Sequence, residues 1–383
     1  MADRSGRPVK VLHLISTLDV GGAEQNLFRL VASMDRSSVA SEVVCMTMPG
    51  PMGRRIEEAG ITVHTLKMRK GSPEVGAVLK LRVMANLCRP DVVQCWMYHA
   101  NLMGMTLLRP SRMLWNIRCS DMDLSHYGYF YRLTVQASAR LSSMPAAIIT
   151  NSHAGRSAHE RIGYRPKRWI TIPNGFDTDL FRPDEQARSS VRAKLGIPQD
   201  AFVIGLIGRL DPMKDHATFF RAAAAFLEDH PGTHFILAGR GVSLKNKAVT
   251  DLMQGLQERG MVHLLDDRCD IPEILAALDM ATSSSISEGF PNAVGEAMAC
   301  GLPCAATDAG DTGVLLGDTG ILVKRQSPEH LCRAWGTIAR MDPAERRAMG
   351  MKGRERIRLH YTQKKTTETY EQEYLKIVEP QAF

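Results

Sequence analysis

One segment carries two glutamates eight residues apart, Glu288 and Glu296, whose carboxylates could bind a ligand. It reads Ser287-Glu288-Gly-Phe-Pro-Asn-Ala-Val-Gly-Glu296 and follows an apolar strand candidate. Glu288 should therefore lie at the carboxyl end of a strand, where open α/β sheets bind ligands, and Glu296 in the following helix, which has Pro291 in its first turn. Carboxylates accept paired hydrogen bonds from vicinal hydroxyls of a sugar or ribose, and the free N–H groups of a helix start suit an oxygen-rich ligand.

A second loop carries cations. Gly205-Leu-Ile-Gly208-Arg209-Leu-Asp-Pro-Met-Lys214 ends another strand candidate and leads into a helix near Asp215. Arg209 and Lys214 beside a helix N-terminus make a diphosphate site that needs no metal, because the cations can neutralise the leaving charge.

Paired glycines follow the first strand candidate. Gly21-Gly22-Ala-Glu24 would let the backbone approach a phosphate or a sugar ring. The segment lacks the Gly-x-Gly-x-x-Gly spacing of a dinucleotide fingerprint, which disfavours a nicotinamide enzyme.

These loops need strands and helices to position them, and the chain alternates short β-branched runs with stretches of helical period, a pattern typical of α/β folds with parallel sheets. The predicted strands are Val9–Thr17, Glu42–Met48, Thr62–Leu66, Asp91–Trp96, Met113–Cys119 and Ala146–Asn151, then Phe202–Gly208, His234–Ala238, Val262–Leu265, Met280–Ser283, Pro303–Ala306 and Gly320–Val323. The alternation of strand and helix patterns resumes after a linker that begins around Ile170–Asp177. Two doubly wound halves are therefore expected end to end.

Composition excludes several classes of protein. The 383 residues are 44% hydrophobic and 23% charged, which excludes disordered, collagen-like and coiled-coil chains. The eight cysteines are scattered and lack zinc-site spacing, so we expect reduced thiols, no metal and a cytoplasmic protein. No signal peptide and no run of 18 apolar residues is apparent.

Positive charge is concentrated in the first half of the chain. Residues 1–170 hold 23 Lys and Arg against 12 Asp and Glu, whereas the remainder holds 25 against 29. Basic runs at Arg54-Arg55, Lys67-Met-Arg69-Lys70 and Arg165-Pro-Lys167-Arg168 predict attraction to anionic lipid headgroups or a phosphorylated acceptor, with a solvated face as the alternative. Nucleic acid is not expected as a partner, because the chain lacks an RNA-binding aromatic signature.

Together, the Glu288–Glu296 element, the Gly208–Lys214 loop, Ile172-Pro-Asn-Gly-Phe-Asp177 and Gly21-Gly-Ala-Glu24 resemble the retaining glycosyltransferases of family 4, which have the GT-B fold. The resemblance extends from about Val9 to Val323. It implies two Rossmann-like domains facing across a cleft, residues 1–173 on the acceptor side and 174–360 binding a nucleotide sugar. Residues 361–383 would form a helix returning to the first domain.

The resemblance also assigns roles to residues. It implies that Arg209 and Lys214 bind the diphosphate, that Glu296 binds the ribose, and that Glu288 holds the donor sugar. Further donor contacts are implied for Gly21, Gly22, Phe290, Pro291, Asn292 and Ala293, and for Arg268 and Ile271 in a segment lining the nucleobase.

The first half departs from the family pattern at one position. Many members carry a histidine at the end of the fifth strand, where this chain has Arg118. His99, at the end of the fourth strand, is a second candidate on the acceptor side. Both are treated as candidate catalytic residues.

The expected activity is metal-independent, retaining transfer of a hexose, with UDP favoured as the nucleotide, to a glycan or lipid-linked acceptor in cell-surface polysaccharide or glycolipid synthesis. No cofactor is expected beyond the nucleotide sugar as co-substrate. A catalytically idle nucleotide-sugar-binding protein and a GT-B epimerase remain alternatives. Peripheral association with the inner face of the cytoplasmic membrane is an accompanying expectation.

Overall fold

The computed structural model describes residues 7–69, 75–120, 128–253 and 255–379, with the side chains of residues 257 and 258 excepted. It divides the chain into two units: residues 1–175 with 363–383, and residues 176–362. The divisions lie two residues beyond the boundaries expected from the sequence. Lys70 of the second basic run lies outside the described residues.

The first unit is built on a parallel sheet of seven strands in the order β3-β2-β1-β4-β5-β6-β7. The strands are β1 (Val9–Ile15), β2 (Val39–Cys45), β3 (Val63–Thr65), β4 (Val92–Trp96), β5 (Met113–Ile117), β6 (Ala147–Thr150) and β7 (Trp169–Thr171). The central strands β4, β5 and β6 are fully buried and largely apolar, because helices cover both faces of the sheet there, whereas the edge strands β3 and β7 are only partly buried. The helices are α1 (Gly22–Ser33), α2 (Pro51–Glu58), α3 (Val75–Cys88), α4 (Met97–Met105), α5 (Tyr129–Leu141) and α6 (His153–Arg161).

The second unit repeats this plan with six parallel strands in the order β10-β9-β8-β11-β12-β13. They are β8 (Val203–Ile207), β9 (His234–Ala238), β10 (Val262–Leu264), β11 (Met280–Ser283), β12 (Cys304–Thr307) and β13 (Ile321–Val323). The helices are α7 (Glu185–Leu195), α8 (His216–Asp229), α9 (Lys247–Met253), α10 (Ile271–Ala276), α11 (Asn292–Ala299), α12 (Thr312–Leu316), α13 (Pro328–Ala339) and α14 (Pro343–His360).

The last helix, α15 (Gln363–Val378), packs on the first unit although it follows the second unit in sequence. Two buried tyrosines hold it there. The Tyr374 hydroxyl donates to Gln94 Oε1, and Asn116 Nδ2 donates to the Tyr370 hydroxyl at 2.8 Å. Burying these rings removes apolar surface from water, while their hydroxyls keep hydrogen-bond partners.

The segment interpreted as a linker contains a helix, α7, that belongs to the second unit. Arg192 is fully buried there, and its Nη2 lies 2.8 Å from Asp279 Oδ2. Arg188 binds the other carboxylate oxygen at 2.7 Å. Val191 and Leu195 also pack partly against the apolar core. This apolar pattern is too short to reveal the helix from the sequence.

Candidate active site

The functional loops of the second unit converge at the centre of its sheet. The strand order reverses between β8 and β11, and these two strands are neighbours. The carboxyl ends of the strands at such a switch point frame the ligand crevice of open α/β sheets. The loop holding Arg209 and Lys214 follows β8, and the loop holding Glu288 follows β11.

The loop after β8 is shaped by an aspartate. Asp211 Oδ1 accepts from the backbone N–H of Met213 at 2.9 Å, and its Oδ2 accepts from Arg209 Nε at 2.9 Å and Nη2 at 2.8 Å. Partial burial alone would raise the pKa of Asp211, but these hydrogen bonds outweigh it and hold the pKa below its usual value. Arg209 is 59% exposed, so its remaining donors face solvent.

Asp215 closes the same loop as the N-cap of α8. Its carboxylate accepts from the Thr218 backbone N–H at 3.1 Å and from the Thr218 hydroxyl at 2.6 Å. Asp215 therefore satisfies a backbone N–H of the first turn that has no acceptor within the helix. Its φ of 47° lies in the left-handed region, which favours glycine and tolerates aspartate because of such local hydrogen bonds.

Lys214 and Glu288 are brought into direct contact. Lys214 Nζ lies 2.5 Å from Glu288 Oε1, with the side chains 25% and 13% exposed. Ser285 donates its hydroxyl to the same carboxylate oxygen at 2.7 Å, and Ser284 donates to the Lys214 carbonyl at 2.8 Å. A small pocket is lined by these four residues and Pro291, among others. The cation expected to bind phosphate and the carboxylate expected to bind sugar are thus one hydrogen-bonded group.

A glycine lets the next loop close behind Glu288. Gly310 has a φ of 59°, and a Cβ there would lie 1.8 Å from the Glu288 carbonyl oxygen. Asp311 donates its N–H to the Gly289 carbonyl at 3.1 Å. Any side chain at position 310 would force this loop away, so Gly310 belongs to the support of the site.

The helix that follows, α11, carries the remaining carboxylate. Glu296 is only 8% exposed, and Phe290 is buried in the core of the unit. Pro291 is the N-cap residue, and Asn292 and Ala293 open the helix. The start of a helix presents backbone N–H groups towards its N-terminal end, and the positive end of the helix dipole favours an anion there.

Arg268 and Ile271 lie near the carboxyl end of β10, two strands from the switch point. Arg268 Nε donates to Asp270 Oδ1 at 2.7 Å, and Ile271 is the first residue of α10. The guanidinium is thus anchored to a neighbouring carboxylate.

In the first unit, the expected residues lie at the carboxyl ends of the adjacent strands β1, β4 and β5. Gly21 is the N-cap residue of α1, and a Cβ on Gly22 would meet no atom within 4 Å, so space is open above this helix start. His99 lies in the first turn of α4, exposed, with its ring centroid 5.9 Å from that of Tyr131.

Arg118 follows β5 and is tied to distant parts of the same unit. Its Nη1 donates to the Tyr370 hydroxyl at 3.2 Å, and its Nη2 donates to Asn174 Oδ1. The guanidinium lies 5.5 Å from the Trp96 ring centroid, and burial lowers its pKa. These contacts give Arg118 a role in holding α15 and the segment before the second unit against β5.

Several supporting residues were not singled out from the sequence: Ser284, Ser285, His216 and Gly310. The serines had a signal, because Ser283-Ser-Ser-Ile-Ser287 places hydroxyls directly at a strand end. His216 is 2% exposed at the start of α8, and burial lowers its pKa to about 4. The burial of His216 depends on tertiary packing, which the local sequence pattern does not predict.

Among the described residues, one group of mixed ligand types lies close together in the first unit. His64 Nε2 lies 2.8 Å from Glu42 Oε2, and Cys88 donates its thiol to the same oxygen at 3.0 Å. Burial and then Glu42 raise the pKa of Cys88 to about 12, so the thiol is protonated at neutral pH.

Family models match most of the chain. One described as "Glycosyltransferase Family 4" matches residues 20–180, and one described as "Glycosyl transferases group 1" matches residues 201–340. The chain belongs to the family 4 glycosyltransferases. It is 26% identical to a putative glycosyltransferase, EpsF, of Bacillus subtilis (strain 168), over 88% of each chain.

Other relatives of this glycosyltransferase align over shorter stretches. A UDP-Gal:alpha-D-GlcNAc-diphosphoundecaprenol alpha-1,3-galactosyltransferase of Escherichia coli is 32% identical over 39% of each chain. The chain spans about half the length of several relatives named D-inositol 3-phosphate glycosyltransferase, 46% in the case of Acidothermus cellulolyticus.

Solved structures confirm the GT-B fold class. The crystal structure of Anabaena HepE in complex with UDP and glucose matches with a TM-score of 0.81 and 23% identity, covering 95% of this chain and 99% of that one. Among the helices of the described residues, none combines the length and apolarity that crossing a bilayer requires.

Proposed function

We propose that this glycosyltransferase moves a hexose from a UDP-sugar to a hydroxyl of a lipid-linked or glycan acceptor, with retention of anomeric configuration and without a metal. The observation that carries the proposal is the Lys214–Glu288 pair at the β8–β11 switch point. In this pair, a cation suited to phosphate and a carboxylate suited to sugar hydroxyls are in contact beside the starts of α8 and α11.

In this proposal, Lys214 and the exposed donors of Arg209 bind the diphosphate. Glu288 and the backbone from Phe290 to Ala293 hold the sugar hydroxyls, and Glu296 accepts from the ribose. Arg268 and Ile271 line the nucleobase. HepE, which shares the fold, was solved with UDP and glucose, and this supports UDP as the nucleotide.

The proposed reaction breaks the bond between the anomeric carbon and the diphosphate oxygen, and the electron pair leaves with UDP. The acceptor hydroxyl attacks on the same face, and its proton passes to the leaving phosphate. Lys214, Arg209 and the helix start of α11 stabilise the departing charge, so catalysis is mainly orientation and electrostatics. The two cations take the part that a divalent metal would otherwise take, so activity should survive EDTA.

On the acceptor side, Gly21, Gly22 and His99 are proposed to contact the sugar and the incoming hydroxyl. Arg118 is proposed to act by positioning this strand edge, given its contacts with Tyr370 and Asn174. The Escherichia coli relative is named for an acceptor linked to diphosphoundecaprenol, which supports a lipid-linked acceptor. An enzyme with such an acceptor must work at a bilayer surface.

The donor is tested by thermal unfolding with a panel of UDP- and GDP-sugars. A ligand at 100 times its dissociation constant adds about 2.7 kcal/mol to the free energy of unfolding. We expect protection by a UDP-sugar in the presence of EDTA. Protection by GDP-sugars alone, or only with added metal, would contradict the proposal. Retention is read from the anomeric configuration of the product by NMR.

A further inference from the structure

Helix α3 exposes an apolar face to solvent. Val75, Leu79, Val83 and Leu87 are spaced four residues apart, so they lie on one side of the helix. They are 80%, 59%, 58% and 78% exposed. We call these four residues the α3 outer face. A helix on the surface of a globular protein ordinarily turns polar residues outward, so this arrangement is not explained by folding of the first unit.

The inner side of α3 already supplies what the fold needs. Ala77 and Leu81 are buried in the core of the first unit, and Met84 packs partly against it. The α3 outer face therefore adds nothing to that core. A contiguous exposed apolar patch of this kind marks an interaction surface.

Cations border this face, and acidic residues are absent from it. Lys80 and Arg82 are exposed on α3, and the sequence has no Asp or Glu between Glu74 and Asp91. Arg82 Nε donates to the Thr106 carbonyl at 3.0 Å, which brings the end of α4 alongside. Arg109, three residues further along, is also exposed.

A fifth exposed apolar side chain lies next to this contact. Leu108 is 76% exposed and has a φ of 55°, in the left-handed region. That backbone conformation costs a leucine about 1–2 kcal/mol, and the side chain gains little burial in return. Folding alone would favour glycine or asparagine here.

We propose that the α3 outer face, with Leu108, docks on an anionic lipid bilayer, the aliphatic side chains entering the interface and Lys80, Arg82 and Arg109 contacting headgroups. Aliphatic side chains flanked by cations fit an anionic membrane surface. A second copy of this chain fits poorly, because pairing two such faces would bring like charges together. The biological purpose of this docking rests on the proposed lipid-linked acceptor. The evidence for the docking surface is independent of that proposal, because it comes from the exposed apolar and cationic side chains.

The basic runs noted in the sequence fit this role less well. Arg165 Nη1 donates to the Glu160 and Tyr164 carbonyls, each at 2.7 Å. Arg168 pairs with Glu373 at 2.8 Å, and Arg55 lies 4.4 Å from the Phe28 ring centroid. Their charges are therefore partly engaged by neighbouring groups of the first unit.

The test is co-sedimentation of the full chain with vesicles of phosphatidylcholine, with and without phosphatidylglycerol. The variant Leu79→Gln/Val83→Gln/Leu87→Gln removes most of the α3 outer face. A matched control, Leu180→Gln/Leu244→Gln, changes exposed leucines of the second unit. We expect the wild type to bind only the anionic vesicles, the α3 variant to bind at least about 30-fold more weakly, and the control to bind as the wild type. Lys80→Gln should weaken binding about fivefold at low salt.

The proposal would be overturned if the wild type failed to bind anionic vesicles, or if the α3 variant bound them as tightly as the wild type. A wild-type dimer that the α3 substitutions dissociate without any vesicle binding would also overturn it. If the triple variant melts early, Val75→Gln/Leu87→Gln, at the two most exposed positions of the face, gives the same comparison. Thermal protection of each variant by UDP-glucose is measured separately, so failure of the donor proposal is distinguishable from failure of this one.

Discussion

Replacing Lys214 by alanine should weaken binding of UDP and slow sugar transfer. The Lys214 ammonium lies 2.5 Å from Glu288 Oε1, and the Glu288 side chain is only 13% exposed. The substitution removes a charge-assisted hydrogen bond of about 1.5–3 kcal/mol to the diphosphate. It also removes the positive charge of Lys214 from the Glu288 carboxylate, which would then lie beside two phosphates. Together these effects should reduce stabilisation of the transition state by about 3–4 kcal/mol, which corresponds to a loss of about 10²–10³ in kcat/KM.

A double-mutant cycle with Glu288→Gln separates the two contributions. Titration with UDP, which lacks the transferred hexose, reports on binding of the nucleotide and its diphosphate without contacts to the donor sugar. Because Glu288→Gln removes the negative charge that would repel the phosphates, the double variant should bind UDP more tightly than Lys214→Ala, with a coupling energy of about 1–3 kcal/mol. Lys247→Ala is the matched control, since that lysine forms an exposed pair with Asp251 in the same unit.

Calorimetric titration of the four proteins of the cycle and the control gives the required affinities. UDP binding that is unchanged in Lys214→Ala would refute the assignment of this lysine to the diphosphate. Equal weakening in Lys247→Ala would show that only the net charge of the unit matters.

Three further predictions concern the fold. Asp279→Ala should lower the free energy of unfolding by about 3–5 kcal/mol in urea denaturation, because it leaves Arg192 buried without its carboxylate; a loss below 1 kcal/mol would contradict this. Burial lowers the pKa of His13 to about 3 and that of His216 to about 4. The unfolded chain therefore binds more protons than the folded chain below pH 6.5. The free energy of unfolding should fall from pH 6.5 towards pH 4, by about 1.4 kcal/mol per pH unit for each histidine. His216→Asn should flatten that pH profile. At pH 8, Cys88 should react with iodoacetamide more slowly than the exposed Cys269, since burial and a neighbouring carboxylate raise its pKa to about 12; equal rates by peptide mass spectrometry would count against that environment.

The central strands of both sheets could be predicted from the sequence because they are buried and largely apolar. The predicted Val9–Thr17 is observed as Val9–Ile15, and His234–Ala238 is observed with the same bounds. The site loops could be placed for the same reason, since each directly follows a strand. Helix α7 could not be found this way, because Arg192 holds it through Asp279, 87 residues away along the chain.

The position of Arg118 also required the structure. Its partner Tyr370 lies 252 residues later in sequence, and no local pattern links the two. The direct Lys214–Glu288 contact, across 74 residues, was likewise beyond sequence reasoning, although both residues were singled out. Residue chemistry and strand ends could be predicted, whereas the pairing of side chains depends on the packed fold.

Transfer of radiolabelled sugar tests the central claim most directly. The full chain is incubated, with EDTA, with labelled UDP-glucose, UDP-galactose or UDP-N-acetylglucosamine and a GlcNAc-diphosphopolyprenol acceptor, and label in the lipid extract is counted. We expect lipid-linked label from a UDP-sugar with the wild type, and a loss of at least about 100-fold with Lys214→Ala and with Glu296→Ala, both variants remaining folded. Lipid-linked label that is undiminished in both variants would contradict the account.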